Sequence, residues 1–441
     1  MFEIKDTVLV KYLGNQSCVT IPDGVTEIGK GAFDNNANVV NVTIPNSVQR
    51  IGAEAFQGCH NLKKVTLPQS VTTIGDYAFA WCTKLQTIEI PANVSHIGKY
   101  AFQRCTKLQT VYWNATSCSS AGNVWLHDDV DMLIDDVVFA GCTALKKIII
   151  GDNVTSIPKY AFYDCLKTVA TLIIGKRVTD IGEQAFAGYN NVKKVCYKGT
   201  LDGWCNIDFG DIDSNPLNDC ANLYINGKVV RTLIVPQTVT TLKRYTFRNC
   251  KNLQHVVASN NLSTIDLCSF INCYNLESVT LSPNIQQIVM RAFENCFKLS
   301  RVNFGGSLTD WCNISFGDRT ANPLSYGADL YLNKQRVTTL TIPDTIHQIP
   351  NYVFSGGNFT DVIVHKGVTH IGFGAFDDSK RFTGTVIHQQ GHTRTFKIKE
   401  HSSCIKAVYY EGTKEQWQEI SIDYCNDNLR RNIPHYLSSQ D

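Results

Sequence analysis

The residues best suited to do chemistry in this 441-residue chain are its 17 cysteines. Eight of them fall at one recurring place, three residues after a phenylalanine: Cys59, Cys82, Cys105, Cys142, Cys165, Cys250, Cys273 and Cys296. Thiols can hold metals or pair as disulfides. Zinc, however, needs four converging ligands rather than a line of single ones, and no CxxC pair occurs. The recurrence instead predicts a column of small buried thiols that pack as hydrophobes. Reduced thiols in such number suit a cytosolic or anaerobic setting better than an oxidising one.

The other candidates are weaker. His388 and His392 stand four apart in "HQQGH", but Gly391 and β-like flanks argue against a helical metal pair. Asp128, Asp129, Asp131, Asp135 and Asp136 could bind a cation or form a solvated acidic loop. Asp208-Phe209-Gly210 has the form of a kinase metal motif, yet no glycine-rich loop or HRD accompanies it. "DIDSNP" carries Pro216 where a calcium loop needs glycine. No GxSxG, HExxH or phosphate-binding loop is present. Nothing gathers a nucleophile, a base and an orienting group. The chain therefore reads as a non-enzyme without cofactor or catalytic metal.

What positions these residues is a repeat. The phenylalanine recurs at Phe33, Phe56, Phe79, Phe102, Phe139, Phe162, Phe186, Phe247, Phe270, Phe293, Phe354 and Phe376, mostly at steps of 22 to 24 residues. Five residues before each stands Ile or Leu, as in Ile74 and Ile97. The stretch "LQTIEIP" alternates and is β-branched, so it predicts a short strand closed by proline. "VTTIG" predicts a second short strand, with the glycine permitting a tight turn. "DYAFAWC" fits one helical or 3₁₀ turn at most. One such coil cannot bury its Ile, Phe and Leu alone; stacked coils can.

The unit "LxxVxIPxxVxxIGxxAFxxCxxL", seen clearly over residues 62–85, resembles the BspA-type (Treponema pallidum-like) leucine-rich repeat. The resemblance covers nearly the whole chain. It implies a right-handed α/β-type solenoid of short parallel strands, about 23 residues per coil, with few helices and hairpin-bearing inserts. It also implies a surface or secreted protein that binds other proteins, in some members on host matrix or neighbouring cells.

Domain boundaries follow from where the repeat starts, breaks and ends. Residues 1–24 read as an N-terminal capping hairpin, centred on "VLVKYLGNQSCVTIP". Residues 25–410 read as solenoid, with inserts near 112–133, 198–231 and 305–338. Residues 411–441 read as a C-terminal cap. The second and third inserts are copies offset by 107 residues: Trp204 and Trp311, Phe209 and Phe316, Asn215 and Asn322, Tyr224 and Tyr331. "TLDGWCNI" predicts a short helix, and "LYINGKVV" a hairpin turning at Asn226-Gly227. Trp204 and Trp311 either protrude as contact sites or plug the inserts onto the solenoid.

The strand residues that point away from the core form the other candidate site. Their outer member turns apolar along the chain: Tyr112, Ile149, Ile173, Cys196, Ile234 and Val257. A contiguous apolar stripe on a sheet usually marks an interface, unless loops or a second layer cover it.

Charge is balanced, with 41 basic and 39 acidic residues and a net charge of +2. No long basic run invites nucleic acid, and no apolar run reaches the roughly 18 residues of a membrane span. The expected partner is a protein of unknown identity, and the chain itself a monomer or weak oligomer. Localisation divides: cytoplasmic if Met1 is the native start, cell surface or secreted by resemblance. The alternative to an adhesion protein is an intracellular scaffold.

Overall fold

The computed structural model describes residues 1–116, 118–121, 137–188, 190–217, 221–377, 384–387, 393–396, 405–432 and 434–437. It divides into two compact units, Met1–Val229 and Val230–Asp441.

In the first unit each coil places one short strand on each of two faces. On one face the strands Cys18–Thr20, Asn41–Thr43 and Lys64–Thr66 pair in parallel. The same face then carries Thr87–Ile90, Thr110–Trp113, Lys147–Ile150, Thr171–Ile174, Lys194–Tyr197 and Asn222–Ile225, all parallel. Strand Lys228–Val229 closes that sheet antiparallel, and Asn226 and Gly227 between them both have φ above zero, as a tight hairpin turn requires. The second face is built of two-residue strands such as Arg50–Ile51, Thr73–Ile74 and His96–Ile97. Its first edge is covered by an antiparallel hairpin, Phe2–Lys5 with Val8–Tyr12. The hairpin lies within residues 1–24, and Cys18–Thr20, in the same range, is already a parallel strand.

The second unit repeats the scheme. Thr232–Ile234, His255–Val257, Ser278–Leu281, Arg301–Phe304 and Asp329–Leu332 form a parallel sheet ending in antiparallel Gln335–Arg336. Thr339–Thr341, Asp361–Val364, Ala407–Tyr410 and His435–Tyr436 form another. Parallel pairing thus runs beyond both ends of residues 25–410.

The phenylalanines stack ring on ring inside each unit. From Phe33 through Phe56, Phe79 and Phe102 to Phe139 the planes lie within 14° of parallel, at centroid spacings of 4.8 to 5.4 Å. Phe247, Phe270 and Phe293 repeat this in the second unit. All are buried, which removes the large apolar area of each ring from water.

The segment around each Phe is not the helical turn that the sequence suggested. Residues two before and two after the Phe adopt left-handed backbone: Tyr77 and Trp81 around Phe79, Tyr100 and Arg104 around Phe102, Tyr245 and Asn249 around Phe247. This turns alternate N–H groups toward the next coil. Tyr77, Phe79 and Trp81 donate to the carbonyls of Lys99, Ala101 and Gln103 at 2.9, 2.7 and 2.7 Å. The coils are thereby hydrogen-bonded along a third line, outside any strand. Left-handed backbone costs a non-glycine residue about 1–2 kcal/mol, which the satisfied backbone groups offset.

The glycine of "VTTIG" serves close approach rather than a turn. Gly75 has no positive φ, but a Cβ there would lie 2.6 Å from the Ala53 nitrogen of the preceding coil.

Candidate binding face

The thiols form the column expected from their spacing. Cys59, Cys82, Cys105 and Cys142 donate from Sγ to the carbonyls of Phe33, Phe56, Phe79 and Phe102, the anchor phenylalanines of the preceding coils, at 3.1 to 3.2 Å. Cys273 and Cys296 do the same to Phe247 and Phe270. Cys165 departs, donating to Phe162 of its own coil. Six of these thiols therefore close an interface between coils. Burial pushes the Cys59 thiol up to about 12 and holds Cys82 and Cys105 well above their usual range, so none is a nucleophile at neutral pH. Among the described residues no group of three or more His, Cys, Asp or Glu could hold a metal ion. The acidic run at 128–136, His388 and His392 lie outside the described residues.

Trp204 and Trp311 do not protrude. Both are fully buried, so they offer no surface to a partner. Each sits on a one-turn helix, α1 (Leu201–Cys205) and α2 (Leu308–Cys312), started by Thr200 and Ser307 as N-caps. Trp204 packs edge-on between Tyr197 and Phe209, at 5.7 and 5.9 Å. Trp311 packs between Phe304 and Phe316, and its indole N–H donates to the Val353 carbonyl at 2.9 Å. The two inserts are thus not appendages. Asp208–Phe209 pairs with Asp180–Ile181 and Asn222–Ile225 with Lys194–Tyr197, so the segment is a lengthened coil of the stack itself.

That placement changes the apolar stripe. In the first unit the parallel register sets Glu89, Tyr112, Ile149, Ile173, Cys196 and Tyr224 side by side, one per strand. Tyr112 is 40% exposed; Ile149, Ile173, Cys196 and Tyr224 are partly exposed. The sequence reading missed Tyr224 because it took the strand for part of an insert; its 107-residue match to Tyr331 was the available signal. Ile234 and Val257 do not extend this stripe: they lie in a separate sheet of the second unit. There Ile234 is 66% exposed and Val257 partly so, and the row continues as Thr280, Asn303 and Tyr331.

The duplicated coils share one surface device. Lys194 Nζ lies 4.4 Å from the centroid of the Tyr224 ring, and the Arg301 guanidinium 3.9 Å from that of Tyr331. A cation over an aromatic face is held by the ring quadrupole. In the first unit Lys147 and Lys194 flank Cys196: burial raises its thiol, and the two ammonium groups oppose that rise.

A family model described as the BspA type leucine rich repeat region, in six copies, matches residues 4–128, 116–207, 204–322 and 325–426. The chain belongs to the BspA-type leucine-rich repeat family. Several solved structures are similar to this BspA-type protein. One is a leucine-rich repeat protein from Bacteroides ovatus ATCC 8483, at 18% identity over 99% of this chain and 98% of that one, with a TM-score of 0.45. Another is a leucine rich cell surface protein from Faecalibacterium prausnitzii A2-165, at 20% identity over 96% of each chain and a TM-score of 0.33. A third is the T. pallidum leucine rich repeat protein, at 20% identity over 63% of this chain and 87% of that one, with a TM-score of 0.26. No curated protein matches the chain. Among the described residues no helix is long and apolar enough to cross a membrane.

Proposed function

We propose that this BspA-type repeat protein is a non-enzymatic protein-binding protein that acts in adhesion to host or neighbouring cells. Its contact surface is the sheet face of the first unit, with a smaller patch around Ile234 and Val257 in the second. The observation that carries this reading is the column from Tyr112 to Tyr224. Five adjacent parallel strands present apolar side chains, in register, on a face that keeps partial access to water. A rigid apolar stripe on a surface gains free energy when another protein covers it. The family resemblance favours display at the cell surface.

The purified chain and an Ile149→Ser, Ile173→Ser, Ile234→Ser variant would be compared for attachment to host and bacterial cells. Attachment lost with stability unchanged to within about 0.5 kcal/mol supports the reading. Unfolding of the variant would make these side chains core and overturn it. Protease treatment of intact source cells tests location: cleavage supports surface display, and protection until lysis moves the protein to the scaffold role. The number of thiols does not decide between the two, because thiols buried in the stack are out of reach of oxidants.

A further inference from the structure

The stripe of the first unit has a charge pattern of its own. Strand Lys147–Ile150 is preceded by Lys146, and strand Lys194–Tyr197 by Lys193; all four lysines lie just before or within the strand ends. Residues 144–150 and 191–198 contain five lysines and no carboxylate. Among the described residues Lys198 alone of the five ion-pairs with a carboxylate, that of Asp152 at 3.1 Å. Lys147 stands two residues before Ile149, and Lys194 two before Cys196, so each projects from the same face as the stripe. The only carboxylate in the outward row is Glu89, at one end, and it accepts a hydrogen bond from Asn114 Nδ2 at 2.9 Å. Apart from Glu89 at one end and Asp152 on Lys198, the apolar column is therefore edged by positive charge.

We infer that the occupant of this face is an acidic polypeptide segment whose apolar side chains alternate with carboxylates. The inference rests on the face being the binding surface proposed above, and names the chemistry of its partner. Adjacent strands are about 4.8 Å apart, so the column from Tyr112 to Tyr224 spans about 19 Å, the length of about six extended residues. A segment laid across the strands sets its apolar side chains on Ile149 and Ile173 and its carboxylates against Lys147 and Lys194. Lys194, stacked on Tyr224, is held in place before the partner arrives, which lowers the ordering cost of binding. Ile149 and Ile173 favour a polypeptide over a nucleic acid, because a phosphate backbone brings no apolar side chain to cover them.

The test sorts a displayed library of random dodecapeptides on the purified full chain, counter-sorting on the folded Ile149→Ser, Ile173→Ser variant. Synthetic versions of the enriched peptides are then measured by fluorescence anisotropy. The expected result is enrichment of peptides alternating apolar and acidic residues, weakened about tenfold by Lys147→Gln with Lys194→Gln and further by added salt. Enriched peptides that need the isoleucines but are neutral or basic would overturn the inference and leave the binding face standing. No peptide dependent on the isoleucines would overturn both. A labelled single-stranded oligonucleotide bound more tightly than any acidic peptide, through the same lysines, would also overturn it.

Discussion

The backbone N–H of Phe376 donates to the side-chain Oδ1 of Asn426 at 2.9 Å, where the anchor phenylalanine of an ordinary coil donates to a backbone carbonyl of the next. Asn426 is fully buried, and its Nδ2 donates in turn to the Gly372 carbonyl at 3.0 Å. One side chain thus stands in for a missing coil. Replacing it by leucine keeps the volume but orphans these groups. The Asn426→Leu variant is expected to lose about 1–3 kcal/mol, seen as a lower urea midpoint of the second unit. An unchanged midpoint would mean that the side chain does not terminate the stack.

Buried tryptophans should behave as core. Trp311→Ala is expected to cost about 3–5 kcal/mol, from lost packing against Phe304 and Phe316 and the lost hydrogen bond to Val353. Trp311→Phe should recover much of the packing and leave the Val353 carbonyl with Asn322 Nδ2 as its side-chain donor. Thermal unfolding of both variants checks the ranking.

The left-handed positions give a sign test. Gly141 has φ +70°, and a Cβ there would come 3.1 Å from the flexible Arg104 side chain. Gly141→Ala is expected to destabilise by about 1 kcal/mol through backbone strain. At Gln184, with φ 51°, the reverse change to glycine removes strain and is expected to be neutral or stabilising despite the added chain entropy. Equal losses at both sites would refute the assignment.

Thiol burial sets an alkaline limit. Cys59 is raised from 9.0 to about 12 in the folded chain, with burial the first cause. Cys205 and Cys312 rise to about 12 for the same reason. A raised folded value means that the unfolded chain gives up its proton first. The stability these thiols contribute is complete below about 9 and is lost as pH climbs toward about 12. Urea midpoints taken stepwise through that window should fall faster in the wild type than in Cys59→Ala. At neutral pH, thiol reagents should label the exposed Cys18 and Cys425 while sparing the column.

Much of this architecture was legible in the sequence, for a physical reason. Each coil meets the same neighbour, so the same demands on Phe79, Cys82 and Ile88 recur at Phe102, Cys105 and Val111 and declare themselves by repetition. The roles of single atoms were less visible. Spacing suggested that Cys82 is buried, but not that it donates to Phe56. The composition of "DYAFAWC" suggested a helical turn, because nothing local announces that Tyr77 and Trp81 accept left-handed backbone; the reward lies in the adjoining coil. The stripe was half legible. Alternation exposed Ile149 and Ile173, but only the parallel register joins Tyr224 to them and assigns Ile234 to another sheet.

The backbone line through the phenylalanine turns has a direction, and the two ends of the protein answer it differently. Each coil passes its N–H groups forward, so the first coil offers a bare carbonyl and the last a bare N–H. At the start the Tyr12 N–H meets the Ala32 carbonyl at 2.9 Å; at the finish Asn426 supplies an oxygen. The end pieces are plug and socket, and neither could replace the other. A shortened version made by deleting whole coils from the middle of either unit would keep both fittings, whereas one truncated at an end would expose the wrong polarity to water or to another chain.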